Sequence, residues 1–167
     1  MRILGIIRSV LLTTGAVAGV LCVVLFVLAA VLGIRPSVVV SGSMEPTLPV
    51  GSLVLLRSVP AAEVGPGDIV TVPRPGGEGL LTHRVVAAEK GEDGIVALTL
   101  RGDANSSDDP SPYAVRQVGA HVLTLPFLGW AALVLRTPAG IACALALFAA
   151  AFLLLAPHRR SRSAARR

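Results

Sequence analysis

The sequence predicts a mainly β domain, a small twisted antiparallel sheet or partly closed barrel, flanked by two transmembrane helices. Two stretches without a charged residue lie near the two ends of the chain, at 9–34 and 139–156. Between them, short apolar and β-branched runs alternate with turn clusters rich in Gly, Pro and Asp, a pattern typical of small antiparallel β folds. Hydrophobic residues make up 53% of the chain and aromatic residues only 4%, which favours a membrane protein.

The first predicted helix covers residues 10–34. At about 1.5 Å per residue this run exceeds a hydrocarbon core of about 30 Å. A cleaved signal peptide is the competing interpretation, with an apolar core of about 7–15 residues and a small-x-small cleavage site. The run is longer than that, and Leu28-Ala29-Ala30 lacks a small residue at its first position. We therefore expect an uncleaved anchor.

The second predicted helix covers residues 139–156, which is close to the shortest length that spans a bilayer. Pro138 suits the first position of a helix, and Pro157 ends the apolar run before an arginine-rich tail. The alternative is a buried or interfacial hairpin that does not cross the membrane.

The distribution of charge predicts the orientation of both helices. The net charge is +5, yet 35–136 holds eight basic and ten acidic residues, and the remaining seven arginines lie near the termini. Arginines gather on the cytoplasmic side of membrane spans. We therefore expect a multi-pass protein of the cell membrane with cytoplasmic ends at 1–9 and 157–167 and an extracytoplasmic domain at 35–138. Basic tails without aromatic residues argue against nucleic-acid binding.

The central domain contains six predicted strands, separated by Gly/Pro/Asp turn clusters. They are Ser37–Val40, Leu53–Arg57, Asp68–Val72, Leu80–Ala88, Ile95–Leu100 and Val118–Leu125.

Ser43 is the candidate nucleophile, in the turn Ser41-Gly42-Ser43-Met44-Glu45-Pro46-Thr47 after the first predicted strand. A serine reacts near neutral pH only if a base takes its proton and donors hold the developing oxyanion. A glycine in the turn lets backbone approach a substrate closely. The alternative is an ordinary polar turn.

His83 is the candidate base, by elimination. The single lysine, Lys90, lies in a charged turn where its ammonium stays solvated and protonated. His158 falls in the predicted cytoplasmic tail, and His121 has no acidic neighbour in sequence. His83 lies within a predicted strand that can hold it rigidly, although a strand histidine is also compatible with a purely structural role.

An acidic segment at 102–109 contains Asp103, Asp108 and Asp109. A carboxylate here is suited to orient an imidazole. A calcium loop and a plain polar turn are the alternatives, but the central glycine and final glutamate of a calcium-binding loop are absent. Cys22 and Cys143 lie in the apolar runs and form no metal or disulfide framework.

Three motifs together resemble the type I signal peptidases. They are Ser-Gly-Ser-Met-Glu-Pro-Thr at 41–47, His-Arg-Val at 83–85, and Gly-Asp-x-Asn with an Asp-Asp pair at 102–109. Histidine at position 83 is similar to the endoplasmic-reticulum-like Ser-His-Asp branch, found in eukaryotes, archaea and some Gram-positive bacteria. The usual bacterial branch has lysine at this position. The resemblance covers about 36–130.

The resemblance implies a role for each matching residue. Ser43 corresponds to the nucleophile, His83 to the general base, and Asp109 to the acid that orients it. Asp103 corresponds to an additional acidic residue, so which of the two aspartates touches His83 is left open. Ser41 and the Ser43 amide correspond to the oxyanion donors.

The implied function is that of a membrane-bound signal peptidase I, a serine endopeptidase that removes N-terminal signal peptides after small-x-small ends without a metal or cofactor. Signal peptides of exported preproteins and membrane lipid are the implied partners, and association with the secretion machinery is left open. The alternatives are a non-catalytic membrane assembly subunit with a peptidase-like fold and a self-cleaving regulator. The latter is disfavoured because the chain offers no DNA-binding module to release.

Overall fold

A computed structural model describes residues 2–76 and 79–155. They form two compact units, one within residues 25–134 and one that combines residues 2–24 and 135–155. The predicted basic tail at 157–167 and the last residue of the second predicted span, 156, lie outside the described residues.

The unit 25–134 contains a curled antiparallel sheet that forms a half-barrel. Its order is β1-β2-β7-β3-β4-β5-β6, and all neighbouring strands are antiparallel. The strands are β1 (Ile34–Val38), β2 (Leu53–Pro60), β3 (Ile69–Pro73), β4 (Leu80–Lys90), β5 (Val96–Arg101), β6 (Tyr113–Val115) and β7 (Gln117–Leu125). The mainly β part of the predicted fold class is thus confirmed.

The structure adds two elements that the sequence pattern did not predict. β6 has only three residues, too few for an alternation of apolar and polar positions to be recognised. Helix α2 (Leu128–Leu135) follows β7. Nearly all of its residues are apolar, so it has no polar face that would identify an amphipathic helix.

Helix α1 (Arg2–Val31) covers residues 10–31 of the first predicted span. It ends three residues before the predicted boundary, and Gly33, at φ +67°, adopts a left-handed conformation that glycine tolerates best. Its segment Gly5–Val31 is long and apolar enough to cross a membrane, and this segment is exposed along its length.

Helix α3 (Pro138–Leu155) begins at the proline expected to open it. Among the described residues, however, α2 and α3 meet the criterion for a membrane span only as a pair with a break between them. A second transmembrane helix therefore stays a prediction.

The core of the β domain consists of two apolar clusters. The larger one is formed by side chains from the strands around β4 and β5, including Leu98 and Leu100. The smaller one contains Met44, Leu48, Val54 and Leu56. It joins the turn after β1 to the strand β2, and it holds the candidate nucleophile in place.

Candidate active site

Ser43 lies in a short turn that follows β1. Residues Gly42–Met44 form a single turn of 3-10 helix. Met44 and Leu48 are 2% and 1% exposed and belong to the smaller apolar cluster. Burial of these two side chains fixes the turn on the domain, while Ser43 itself stays half-buried.

His83 lies near the middle of β4, in register with Val70 on β3. Its side chain is 5% exposed. Pairing with β3 at His83 and with β5 from Arg84 onward restricts the backbone here, so the imidazole has little freedom to leave its position.

The structure brings Ser43, His83 and Asp109 together, although they are distant in sequence. His83 Nε2 lies 3.1 Å from Ser43 Oγ, and His83 Nδ1 lies 2.8 Å from Asp109 Oδ2. An ionised carboxylate accepts a hydrogen bond and cannot donate one, so it favours the tautomer with the proton on Nδ1. Nε2 is then free to accept the serine hydroxyl proton.

Asp109 is held by two groups besides His83. Its backbone amide donates to the Leu100 carbonyl (2.8 Å) at the end of β5. The Tyr113 hydroxyl donates to Oδ2 (3.0 Å), the oxygen that also faces His83. Burial, followed by the hydrogen bond to Asp109 and its charge, raises the pKa of Tyr113 to about 12.

Asp103 faces a different partner from Asp109. Both of its carboxylate oxygens accept hydrogen bonds from Arg84, at 2.8 Å from Nε and 2.6 Å from a terminal nitrogen. Hydrogen bonding from Arg84 holds the pKa of Asp103 below its ordinary value. The other terminal nitrogen of Arg84 donates to the Gly67 carbonyl (2.7 Å). Of the two aspartates left open by the sequence, Asp109 is therefore the one that hydrogen-bonds His83.

The acidic loop is also tied to the turn that carries Ser43. The Ala104 amide donates to the Ser43 carbonyl (2.9 Å). A side-chain hydrogen bond between Thr47 and Asp103 adds a second link, and it contributes to the lowered pKa of Asp103. These contacts hold the serine turn and the acidic loop in one arrangement.

Gly102 permits the close approach of these segments. A Cβ atom at this position would lie 2.5 Å from the Ser43 carbonyl oxygen and 3.0 Å from His83 Nε2. Gly102 is buried between the two, so a side chain there would push the serine turn and the imidazole apart.

Ser41 precedes the nucleophile turn, and its Oγ lies 3.5 Å from Ser43 Oγ. A cavity of about 110 Å³ opens beside both serines. Its lining is mixed, with apolar side chains such as Val38, Val40 and Met44 and polar ones such as Arg74 and Thr82. A larger cleft of about 380 Å³ lies around Arg57 and His121. Ser43, His83 and Asp109 do not line it.

The calcium interpretation of the acidic segment finds no support in the geometry. Asp103 faces Arg84, Asp108 lies 3.6 Å from Arg101, and Asp109 faces His83. Within 2–76 and 79–155, no group of three or more His, Cys, Asp or Glu side chains is arranged to hold a metal ion.

Sequence reasoning missed Gly102 and Tyr113 as parts of the site. Gly102 was visible as the first residue of a motif, but only the fold shows that it lies against both the Ser43 carbonyl and His83 Nε2. The chain's single tyrosine had no sequence signal, since nothing in the pattern indicated that the end of its ring reaches Asp109.

A hydroxyl, an imidazole and a carboxylate in this order of contact form the arrangement of a serine hydrolase of the Ser-His-Asp type, as found on several unrelated folds. Comparison with protein families indicates which group of peptidases the chain is similar to. The family model of signal peptidase, peptidase S26, matches residues 11–92. The matched segment contains Ser41, Ser43 and His83 and ends before the acidic loop.

Individual relatives agree with this match. The chain is 35% identical over 92 residues to signal peptidase I W of Bacillus subtilis, covering 54% of this chain and 47% of that protein. It is 34% identical over 107 residues to the signal peptidase complex catalytic subunit sec11 of Pyrenophora tritici-repentis, covering 59% and 61%. It is 29% identical over 126 residues to the catalytic subunit SEC11C of Rattus norvegicus, covering 71% and 66%.

The chain is therefore similar to signal peptidases, and the resemblance predicted from its motifs is confirmed. The relatives include both a bacterial protein and eukaryotic catalytic subunits, as the predicted branch does. The matches span about half to two thirds of the length of these relatives.

Proposed function

We propose that the protein is a membrane-anchored signal peptidase that removes N-terminal signal peptides from exported proteins by a serine mechanism. The observation that carries the proposal is the continuous chain of contacts from Ser43 Oγ through His83 to Asp109, at 3.1 Å and 2.8 Å. The family match and the names of the relatives supply the substrate class.

In the proposed acylation step, Ser43 Oγ attacks the carbonyl carbon of the peptide bond that ends the signal sequence. His83 Nε2 takes the hydroxyl proton and then donates it to the departing amine, so that the mature protein leaves with a new N-terminus. Asp109 keeps the Nδ1 proton in place and stabilises the imidazolium that forms transiently.

Water completes the reaction in the proposed deacylation step. His83 again acts as the base and removes a proton from water, which attacks the ester carbon of the acyl-enzyme. The signal peptide leaves with a free carboxylate, and the proton returns to Ser43. The hydroxyl of Ser41 and the amide of Ser43 are the proposed donors to the oxyanion of both tetrahedral intermediates.

The small size of the cavity beside Ser43 supports a preference for small side chains next to the cut bond. Its volume of about 110 Å³ is small compared with the several hundred Å³ typical of sites for drug-sized ligands. The resemblance to peptidases that cut after small-x-small ends points in the same direction.

The proposed location is the outer face of the cell membrane. Segment Gly5–Val31 has 27 residues, about 40 Å as a helix, which exceeds a hydrocarbon core of about 30 Å. The arginines near the termini favour cytoplasmic ends. An active site tethered near the bilayer meets signal peptides where they leave the membrane, which raises their effective concentration.

Substitution of Ser43 by alanine tests the proposal. The full chain in detergent or liposomes is mixed with a preprotein, and mass spectrometry locates any cut at the end of the signal peptide. Ser43→Ala should lower the cleavage rate by at least about a thousandfold. The matched control is Ser58→Ala, which removes a hydroxyl from the exposed face of β2 and should retain full activity.

Cleavage by Ser43→Ala at close to the wild-type rate would end the serine assignment. The non-catalytic alternative makes a different prediction, since the wild-type protein would cut no preprotein and Ser43 would resist a hydroxyl-reactive phosphonate probe. Labelling of the wild-type protein but not of Ser43→Ala would exclude that alternative.

A further inference from the structure

Tyr113 joins the hydrophobic core to the carboxylate of the candidate site. It lies on β6, in register with Leu98 on β5, and its side chain belongs to the larger apolar cluster. The residue is 9% exposed. A phenylalanine ring would fill the same space, so packing alone does not require the hydroxyl.

The hydroxyl makes a specific contact with the site. It donates to Asp109 Oδ2 at 3.0 Å, and the same oxygen lies 2.8 Å from His83 Nδ1. The raised pKa of Tyr113, caused first by burial, keeps the phenol protonated throughout the range in which a histidine base works. Two donors thus converge on one carboxylate oxygen.

We propose that Tyr113 is a positioning residue, whose hydroxyl fixes the orientation of the Asp109 carboxylate and withdraws part of the negative charge that faces His83. This inference rests on the proposed peptidase function. The family resemblance assigned roles to Ser43, His83 and the two aspartates, but none to Tyr113.

The Tyr113 hydroxyl restricts rotation of the Asp109 carboxylate, which the backbone contacts of Asp109 do not restrict. The hydrogen bond from the Asp109 amide to Leu100 fixes the main chain, but the carboxylate can still rotate about its last torsion, where the energy wells are broad. Without Tyr113, rotation would take Oδ2 away from the line to Nδ1. The remaining negative charge on Oδ2 would also be larger, since one donor is missing.

A kinetic experiment tests positioning. Tyr113→Phe should lower kcat for preprotein cleavage roughly tenfold, the effect of one hydrogen bond to a charged group, and leave KM within about twofold. In an Asp109→Asn background the same substitution should have no further effect. The control Val115→Ala removes packing from the same strand; it should lower the melting temperature and keep kcat.

A spectroscopic experiment tests the same contact without requiring cleavage. The Nδ1 proton of His83 should give a low-field proton resonance, identified by its displacement in Asp109→Asn. Tyr113→Phe should broaden it and move it upfield, because Oδ2 then leaves the line to Nδ1 for part of the time. The chain has a single tyrosine, so growth on 3-fluorotyrosine modifies Tyr113 alone. Its more acidic phenol should move the resonance upfield, and this variant retains the ring if Tyr113→Phe fails to fold.

An upfield displacement that is accompanied by broadening in Tyr113→Phe but not with 3-fluorotyrosine, together with a non-additive loss of kcat, would establish the positioning role. A resonance that neither change moves, or an equal loss of kcat with and without Asp109, would overturn it. If the wild-type protein cleaves no preprotein while the resonance moves as expected, the proposed function fails and the contact between Tyr113 and Asp109 stands.

Discussion

Two neighbouring residues on β4, His83 and Arg84, each face an aspartate from the same acidic loop, with opposite chemical results. His83 is almost fully buried and hydrogen-bonds Asp109 through one ring nitrogen. Arg84 is about one third exposed and holds Asp103 through two nitrogens. Successive side chains of a strand point to opposite faces, and this alternation separates the two pairs.

The difference shows how one loop supplies both a reactive pair and a structural pair. Arginine stays protonated at any working pH, so the Arg84–Asp103 pair is a fixed ionic contact. An imidazole can both accept and donate a proton, so the His83–Asp109 pair is suited to proton transfer. Substitutions in the two pairs should therefore separate activity from stability.

The largest effect is expected from Asp109→Asn. An amide in place of the carboxylate no longer stabilises the imidazolium and allows the wrong tautomer, so the rate of preprotein cleavage should fall by about 10³–10⁴. The melting temperature should change little. The matched control is Asp108→Asn. The Asp108 side chain is exposed and lies 3.6 Å from Arg101, so this variant should cleave normally. Equal losses in the two variants would contradict the distinction between neighbouring acids.

The second largest effect is expected from Gly102→Ala, which should lower both the activity and the stability. The added Cβ would contact the Ser43 carbonyl and crowd His83 Nε2, so we expect a loss of about 10² in kcat and of about 1–3 kcal/mol in the free energy of unfolding. The control Gly65→Ala has free space around its Cβ and should be neutral. Cleavage by Gly102→Ala at the wild-type rate would show that the gap between serine and histidine is wider than the structure indicates.

The smallest effect on activity is expected from Asp103→Asn, which should change stability instead. Loss of the ionic contact, moderated by the exposure of Arg84, should lower the free energy of unfolding by about 1 kcal/mol at pH 7 and reduce kcat less than tenfold. Because the pKa of Asp103 is lowered on folding, its contribution is present above its ordinary value of 3.8 and is lost as the pH falls below it.

Denaturant unfolding at several pH values measures this contribution. The wild-type protein should lose stability as the pH falls below 3.8, and the difference between it and Asp103→Asn should shrink as the pH is lowered further. A difference that stays constant down to pH 2 would contradict the assignment of the lowered pKa to Asp103.

Much of the β domain could be predicted from the sequence, because turn residues separate short apolar runs. Each of the six predicted strands overlaps an observed one, and β4 begins at Leu80 as expected. The strand β6 and the helix α2 could not be predicted, since three residues carry no periodicity and a uniformly apolar segment has no distinct face.

The candidate site was predictable in its residue types but not in its pairings. Elimination led to His83, and the motif pattern led to Ser43. Spacing could not decide between Asp103 and Asp109, because a loop can present either of them to β4. The decision depends on tertiary contacts, namely the carbonyl of Leu100 that holds Asp109 and the guanidinium that holds Asp103.

Burial of Met44 and Leu48 has a consequence for how the protein fails on heating. These side chains beside the candidate nucleophile belong to the same apolar cluster as Val54 and Leu56 of β2. We therefore expect the serine turn to unfold together with the sheet. Thermal inactivation should coincide with global unfolding, without an earlier phase in which a folded protein has lost its reactive hydroxyl.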